Sequence, residues 1–245
     1  MIRDSLLKKA FDGRRFSPDN ASPMPHKHEF SGRDKKGLYR AIYERRDVRR
    51  EFLPDPIPTQ TLLRILDAAH HAGSVGFMQP WNFIVIRAAA TRRKIKKVFD
   101  RENQRAASHY DGERRQKYLS LKLEGILDAP INICVTCDPA RNGPHVLGRN
   151  SIPETDLFST CCAIQNLWLA ARAEGIGMGW VSILNNRQLK RILEIPVRIR
   201  PVAYLCLGYV SHFPEKPMLE KVKWEKRISL KKLISYETWG KRTAK

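Results

Sequence analysis

The sequence lacks several features that would assign a protein to a class at once. None of its apolar runs approaches the ~20 residues that cross a bilayer. Charged residues interrupt every apolar stretch near the N-terminus, so a secretory signal is not expected. Acidic residues are scarce, because 25 Asp and Glu stand against 45 Lys and Arg and leave a formal net charge of +20. We therefore expect neither a membrane protein nor a secreted one.

Cysteines are few as well, and their arrangement excludes common metal sites. The five thiols are Cys134, Cys137, Cys161, Cys162 and Cys206, all within apolar segments. Only the first two have the C-x-x-C spacing, and no second pair lies at zinc-ribbon distance. An odd number of thiols in apolar surroundings is typical of reduced cysteines in the cytoplasm. We predict cysteines packed in the core, no metal site and a cytoplasmic location.

The chain has the composition of a globular protein with an unusual charge. Of its 245 residues 42% are apolar and 29% charged, which excludes disorder throughout. The positive excess is spread along the chain and favours an anionic partner, which charge alone leaves open between nucleic acid, a membrane surface and a phosphorylated small molecule. Residues 1–37 are polar, basic and rich in Pro, Ser, His and Gly, which predicts a flexible basic extension. Residues 38–245 are predicted to form one domain.

Hydrophobic periodicity predicts alternating helices and strands. Helices are expected from Pro58 to Gly73, over 91–105, around 113–127, over 156–174 and from 186 to Glu194, and strands over 83–86, 130–136, 177–182 and 202–210. The first of these helices should bury Leu62, Leu63, Leu66 and Ala69, and the second should bury Ile95, Val98 and Phe99. Asn185 and Asn186 are expected to cap the short helix that ends at Glu194. The segment 156–174 is apolar around most of its circumference, so it should be a buried central helix. The pattern predicts an α+β domain.

The first segment suited to chemistry is Arg-rich and follows an early helix. It reads Glu44-Arg-Arg-Asp-Val-Arg-Arg50, and guanidinium groups give paired donors to phosphate oxygens. Asp47 lies among them, so its carboxylate can act as an acceptor or a base. The alternative is a solvated basic turn in which Asp47 makes local salt bridges.

Two further segments contain residues suited to a flat ligand. Met78-Gln-Pro-Trp-Asn82 places two amides beside an aromatic ring, which suits the edge of a heteroaromatic ligand, or else forms an ordinary turn with Trp81 in the core. In the segment from Gly175 to Ser182 alternating glycines permit close approach of a flat ligand. That segment ends a helix and enters a strand, which is the wrong context for a dinucleotide-binding loop.

Taken together, RRDVR, SVGFMQPWNFIVI and QNLWLAARAEGIGMGWVSIL resemble the flavin-dependent nitroreductase superfamily, in order from about Leu38 to Val210. The resemblance implies an α+β fold with a mixed sheet flanked by helices around a buried central helix. It also implies a domain-swapped type of homodimer with FMN at the interface. Asp47 replaces the Ser usual in the superfamily, and together with Ser182 it marks a subgroup that consumes reduced FMN.

The resemblance implies roles for individual residues. Asp47 is expected to be a catalytic general base, and Ser182 is expected to be the catalytic residue that positions the reacting flavin. The residues expected to bind the flavin are Arg45, Arg46, Asp47, Val48, Arg49, Ser74, Met78, Gln79, Trp81, Asn82 and Ser182.

The reaction implied for the subgroup is an oxygen-dependent breakdown of reduced FMN. Its products are dimethylbenzimidazole, the lower ligand of vitamin B12, and erythrose 4-phosphate. NAD(P)H is expected to act only through a separate flavin reductase that supplies reduced FMN. The alternative is an FMN-dependent NAD(P)H nitroreductase or flavin reductase, in which the flavin is recycled. No motif supports a nucleic-acid partner beyond the charge.

Overall fold

The computed structural model describes residues 28–242. The helices are α1 Gly32–Glu44, α2 Thr59–His70, α3 Ala89–Ala107, α4 Gly112–Ser120, α5 Thr155–Ala173, α6 Asn186–Ile192 and α7 Met218–Lys221, with short 3-10 turns at Val75–Phe77 and Leu230–Lys232. The strands are β1 Trp81–Ile86, β2 Ile131–Cys137, β3 Ile176–Val181 and β4 Arg200–Tyr209. Within this part of the chain no helix is both long and apolar enough to cross a membrane.

The described residues fall into two compact units. One comprises 41–215, and the other comprises the described parts of 1–40 and 216–245. Helix α1 begins at Gly32, ahead of the predicted domain boundary at 38, and residues 1–27 of the predicted extension lie outside the described residues. The extension therefore stays a prediction.

The unit 41–215 is built on a four-stranded sheet in the order β1-β2-β4-β3. All three pairings between these strands are antiparallel. A parallel component is present as an isolated bridge between Asp47 and Met178, which joins the Arg-rich segment to β3. The predicted α+β class is confirmed, and β1 and β3 are the two edge strands.

Helices cover both faces of the sheet, so β2 is buried along its whole length. Because alternate side chains of a strand point to opposite faces, Ile133 packs in one core cluster and Cys134 in another. The first cluster contains residues of α2 and α5, and the second contains residues of α3 and α6. The predicted inward positions Ile95, Val98 and Phe99 of α3 are confirmed as buried.

One apolar position of α2 was predicted on the wrong face. Leu63 is 58% exposed, whereas Ile65 is fully buried. The helical period of 3.6 explains the difference, since Leu62, Ile65 and Ala69 follow the i, i+3, i+7 spacing of one face and Leu63 lies about 100° away from Leu62.

The central helix α5 is buried on one side only. Ala163, Ile164 and Leu167 are essentially inaccessible, which confirms its place in the core. Phe158 is 53% exposed, and Cys161 and Cys162 are exposed as well. The prediction that all five thiols pack in the core is therefore wrong for Cys161 and Cys162.

The helix predicted around 113–127 is shorter than expected. It ends at Ser120, and the chain then continues without helical structure to the start of β2. The buried carboxylate of Glu124 accepts a hydrogen bond from the Ile126 N–H at 2.7 Å. Such a local bond from a side chain to the backbone competes with helix formation, so the polar pattern overestimated the helix.

Candidate active site

The Arg-rich segment leaves α1 and lies against the edge strand β3. The Val48 N–H donates to the Met178 carbonyl at 3.1 Å, and the Trp180 N–H donates to Asp47 Oδ1 at 3.2 Å. Val48 itself is fully buried. These bonds fix the backbone of Asp47 and one oxygen of its carboxylate on the strand that leads to Ser182.

The glycines of β3 make this contact possible. A Cβ atom on Gly179 would lie 2.2 Å from the Val48 carbonyl oxygen, and one on Gly177 would lie 2.3 Å from Val210 Cγ1. Both separations are shorter than non-bonded atoms allow. The glycines therefore make room for the chain's own Val48 and Val210, whereas the sequence predicted that they make room for a flat ligand.

Opposing influences act on the carboxyl group of Asp47. Burial raises its pKa above the ordinary value and outweighs Arg49, the Trp180 N–H and Arg45, which all favour the charged form. The side chain still has 32% of its surface accessible, so a ligand can reach the carboxyl group. A carboxylate with a raised pKa takes up a proton more readily than an ordinary one, which suits a general base.

The neighbouring arginines have different partners. The Arg49 Nη2 group donates to Asp47 Oδ2 at 2.6 Å. The Arg45 guanidinium lies 4.4 Å from the centre of the Trp168 ring, in cation–π geometry. Arg46 donates to the carbonyls of Tyr43, Arg45 and Glu215 at 2.5–2.8 Å, so it joins the end of α1 to the backbone at residue 215. A flavin contact by Arg46 stays a prediction.

The segment around Ser74 has a strained backbone. Phe77 and Gln79 have φ values of +51° and +46°, in the left-handed region that non-glycine residues rarely adopt. Ser74 Oγ accepts from the Gln79 N–H at 3.2 Å, and the Val75 N–H donates to Ser159 Oγ of α5 at 3.1 Å. Side-chain hydroxyls therefore hold the loop in place, while the Phe77 ring is 78% exposed.

The rest of this motif is divided between the core and the surface. Met78 and Trp81 are buried, and the Trp81 indole N–H donates to His70 Nδ1 at 3.2 Å. Trp81 therefore lies in the core, as the alternative of an ordinary turn required. Asn82 is exposed and accepts from Arg141 at 2.7 Å. Contact of these residues with a flavin stays a prediction.

Ser182 is exposed just after the end of β3. It lines a cleft together with Trp180, Leu184, Leu189 and Tyr204, between β3, β4 and α6. Asp47 and Ser182 are thus attached to the same edge strand.

The predicted residues form two groups on opposite edges of the sheet. The loop from Ser74 to Asn82 leads into β1, whereas Asp47 and Ser182 belong to the β3 edge. Three inter-strand spacings, roughly 14 Å, separate these edges. The start of β1 and the end of β3 lie at the same end of the sheet, since Trp81 pairs with Cys137, Cys137 with Arg200, and Val181 with Tyr204.

Three residues of the site, Trp168, Trp180 and Ser159, were not among those predicted from the sequence. The first gives Arg45 an aromatic surface, the second gives Asp47 its N–H, and the third anchors the strained loop. No local motif marks Trp168 or Ser159, because each contributes through a residue distant in the chain. Trp180 belongs to the glycine-rich segment, and it is its backbone N–H that contacts Asp47.

The donors of this region fit an anionic, heteroaromatic ligand. Arg49 Nε and Trp168 Nε1 are both fully buried, and neither has a hydrogen-bond acceptor within 28–242. Buried donors without acceptors are uncommon in folded proteins. Together with the positive charge of Arg45 they suit a ligand that has ring acceptors and a phosphate, as FMN does.

Comparison with known proteins identifies the class of this fold. Residues 42–209 match the Nitroreductase family, and the chain belongs to that family. Oxidised iodotyrosine deiodinase bound to FMN and 3-iodo-L-tyrosine has a similar fold, with a TM-score of 0.63 at 21% identity over 82% of this chain and 100% of that one.

Within the family the chain is similar to 5,6-dimethylbenzimidazole synthases. It is 42% identical to the synthase of Rhodospirillum rubrum over 191 residues, which cover 78% of this chain and 90% of the relative. It is 37% identical to a synthase of Rhodobacter capsulatus over 201 residues, covering 81% of this chain and 96% of the relative.

Proposed function

We propose that this chain is a 5,6-dimethylbenzimidazole synthase that breaks down reduced FMN with molecular oxygen. The observation that carries the proposal is the carboxyl group of Asp47, whose pKa is raised by burial and whose two oxygens are held by Trp180 and Arg49. The similarity to two synthases over most of their length supports the same reaction. The products would be dimethylbenzimidazole and erythrose 4-phosphate.

Asp47 and Ser182 have separate roles in this proposal. Reduced FMN supplies the reactivity toward oxygen and the atoms of the product, so the protein needs to bind it, orient it and move protons. Asp47 accepts a proton from the substrate through the carboxylate that its neighbours keep in a fixed orientation. Ser182 orients the substrate with its hydroxyl from the end of β3. Arg45 and Arg49 supply positive charge for the anionic substrate.

We further propose that NAD(P)H acts only through a separate flavin reductase. Reduced FMN would then arrive as a diffusing substrate, and the formal charge of +20 would speed the capture of this anion. Free cysteines at all five positions agree with the cytoplasmic location that we propose.

A homodimer would complete the site. In one chain the predicted flavin residues lie on opposite edges of the sheet, and a second copy could bring the loop of one chain to the β3 edge of the other. Apolar side chains are exposed on the face that this requires, including Phe77 at 78%, Leu147 at 84% and Phe158 at 53%. Burying such a patch favours association.

Light scattering after size-exclusion chromatography tests the dimer. The wild-type protein should have the mass of two chains. The Phe158→Lys variant should have a mass closer to that of one chain, because dimer formation would bury the lysine charge in the interface. Leu119→Lys is the matched control, since Leu119 is 54% exposed on α4. A wild-type monomer, or equal behaviour of the two variants, would contradict this interface.

The reaction itself is tested with chemically reduced FMN and air. Incubation with the protein should consume FMN and produce a dimethylbenzimidazole peak in liquid chromatography. The competing function is the NAD(P)H-dependent nitroreduction from which the family takes its name. Intact FMN without a benzimidazole peak, combined with steady NAD(P)H oxidation in the presence of a nitroaromatic acceptor, would establish that alternative instead. Protein-free FMN under the same conditions controls for spontaneous oxidation.

A further inference from the structure

Arg149 is a buried cation that backbone carbonyls hold in place. It lies in the long connection between β2 and α5, which forms neither helix nor strand, and only 9% of its surface is exposed. Its Nη1 donates to the carbonyls of Pro139 and Arg141 at 3.0 and 3.2 Å, and its Nη2 donates to the Gly143 carbonyl. Burying a charge costs free energy unless hydrogen-bond partners replace the lost water. Here those partners belong to residues 139–143, which we call the held segment.

The shape of the held segment depends on these bonds. Asp138, the one acidic residue of 138–149, forms its salt bridge with Arg198 at 3.6 Å. Asn142 has a φ of +62°, in the left-handed region, and such a conformation persists only where the surroundings hold it. The Arg149 guanidinium bonds the carbonyls on either side of Asn142, so it supplies that restraint.

The held segment contacts the loop 74–82, which we call the Ser74 loop and which carries predicted flavin residues. The Asn142 amide donates to the Met78 carbonyl at 3.4 Å. Arg141 Nη2 donates to Asn82 Oδ1 at 2.7 Å. The second half of the Ser74 loop is therefore bonded to the segment that Arg149 holds.

Close packing joins the two loops at a second place. A Cβ atom on Gly76 would lie 2.6 Å from Val146 Cγ1. One on Gly148 would lie 2.7 Å from Val75 Cγ1. Both separations are shorter than non-bonded atoms allow. The residues just before Arg149 thus pack against the first half of the Ser74 loop, while its side chain holds the segment that contacts the second half.

We infer that Arg149 is a positioning residue whose guanidinium fixes the Ser74 loop through the held segment. The inference rests on the proposed function for the placement of the flavin beside this loop. With the held segment fixed, Asn142 and Arg141 have definite positions, and they orient the Met78 carbonyl and the Asn82 side chain. Lys cannot replace Arg149, since an ammonium group lacks the planar fork that reaches several carbonyls at once.

The alternative is that Arg149 stabilises the fold without acting on the Ser74 loop, and Arg92 offers a matched control. Its guanidinium also donates to two backbone carbonyls, those of Leu127 and Ala129, but they lie before the start of β2, at the opposite end of that strand from the held segment. Lysine at either position loses the same type of contact. A readout confined to the Ser74 loop therefore separates positioning from stabilisation.

The experiment compares Arg149→Lys, Arg92→Lys and Arg141→Gln in the full-length protein. The first readout is hydrogen exchange of a peptide covering 74–82, followed by mass spectrometry, with a peptide from β4 as reference. The second is the Kd for oxidised FMN, measured by quenching of flavin fluorescence. The third is rescue of Arg149→Ala by millimolar guanidinium chloride, with sodium chloride at the same ionic strength as control.

The inference predicts a different result for each variant. Arg149→Lys should exchange the Ser74 loop about tenfold faster and bind FMN about tenfold more weakly, because bonds from a charged donor are lost. Arg141→Gln removes one contact and should change both values about threefold. Arg92→Lys is distant from the loop and should stay within about twofold of wild type in both. Guanidinium, but not sodium, should slow exchange of the loop in Arg149→Ala.

Several outcomes would overturn the inference. Wild-type exchange of the Ser74 loop in Arg149→Lys would do so, as would equal acceleration in Arg92→Lys. Faster exchange with an unchanged Kd for FMN would show that the loop is not positioned for the flavin. If the Arg149 variants also exchange quickly in β4, Arg141→Gln decides, and wild-type values for it contradict the inference. None of these readouts requires turnover, so a failed product assay would remove the proposed function alone.

Discussion

The two edges of the sheet differ in how they use residues with special backbone properties. At the β3 edge, glycines without side chains let the Arg-rich segment lie close to the strand, and Arg49 and the Trp180 N–H then hold the Asp47 carboxylate. At the β1 edge, the loop from Ser74 to Gln79 has left-handed backbone at non-glycine residues and exposes the Phe77 ring. The contacts that hold Asp47 at the first edge all come from one chain, whereas at the second edge 78% of the Phe77 side chain is exposed.

The difference suggests separate roles for the two edges, with the catalytic base at β3 and a contact surface at β1. A base needs a fixed position and a tuned pKa, and both come from neighbours that one chain provides. An exposed aromatic ring on a strained loop is suited to contact with a ligand or a second subunit. Perturbing the β3 edge should therefore abolish turnover or folding, whereas perturbing the β1 edge should have small effects on the stability of one chain.

The largest effect is expected for Asp47→Asn. An amide cannot accept the proton, so the rate of product formation from reduced FMN should fall by about 10²- to 10⁴-fold. The amide oxygen can still accept the Trp180 N–H, and FMN affinity should change by only a few-fold. Product is measured by liquid chromatography. Asp55→Asn, at an exposed position, should behave as wild type. Normal turnover by Asp47→Asn would refute the role of the base.

Gly179→Ala should produce the next largest effect, on stability. The added methyl group would lie 2.2 Å from the Val48 carbonyl oxygen, and the backbone would have to move. Overpacking of this kind costs about 1–3 kcal/mol or more, and it should weaken FMN binding because Asp47 moves with Val48. Urea unfolding and flavin fluorescence measure the two effects.

The matched control for Gly179 is Gly73→Ala. A Cβ atom at Gly73 would have no neighbour within 4 Å, so this variant should be as stable as wild type or slightly more so. Equal stability of the two alanine variants would mean that the close approach at β3 is relaxed at no cost.

The raised pKa of Asp47 makes stability depend on pH with a definite sign. Since the folded protein holds this proton more tightly than the unfolded chain, the contribution of Asp47 to stability falls as pH rises from about 4, the ordinary value, through the raised folded pKa. Asp47→Asn has no such proton. Its stability relative to wild type should therefore increase over that interval and then become constant.

Urea unfolding of both proteins at a series of pH values checks this dependence. A difference that stays flat with pH would mean that Arg49 and the Trp180 N–H compensate fully for burial. A difference that declines would mean that they dominate, and Asp47 would then be a weaker base than an ordinary aspartate.

The smallest effect is expected at the β1 edge. Phe77 has a φ of +51°, which glycine adopts without the cost of about 1 kcal/mol that other residues incur. Phe77→Gly should therefore be more stable than Phe77→Ala by about 1 kcal/mol in urea unfolding. At Val197, which is 92% exposed, the order should be reversed, with Val197→Ala more stable to urea than Val197→Gly. A lower stability for Phe77→Gly would show that the loop backbone is not strained.

The elements of the core were predictable because periodicity is a local property. The spacing of Ile95, Val98 and Phe99 placed α3 correctly, and Asn185 begins α6 by accepting from the Gln188 N–H, as its position before the short helix suggested. The errors lie where a tertiary contact competes with a local signal. Glu124 accepts a backbone N–H where a helix was predicted to continue, and Cys161 is exposed on a helix whose sequence is apolar around most of its circumference.

The class of fold and the chemical groups available for the site could be predicted from residue types and their spacing, since guanidinium groups, a carboxylate and glycines occur in motifs along the chain. Which of these groups meet depends on tertiary contacts. Arg49 donates a hydrogen bond to Asp47, the Arg45 guanidinium lies over the Trp168 ring, and the missing side chain of Gly179 makes room for the Val48 carbonyl. These contacts join positions far apart in the chain, or depend on which of several neighbours a flexible side chain reaches. The spacing of residues along the chain predicts neither the distant contacts nor the choice of partner.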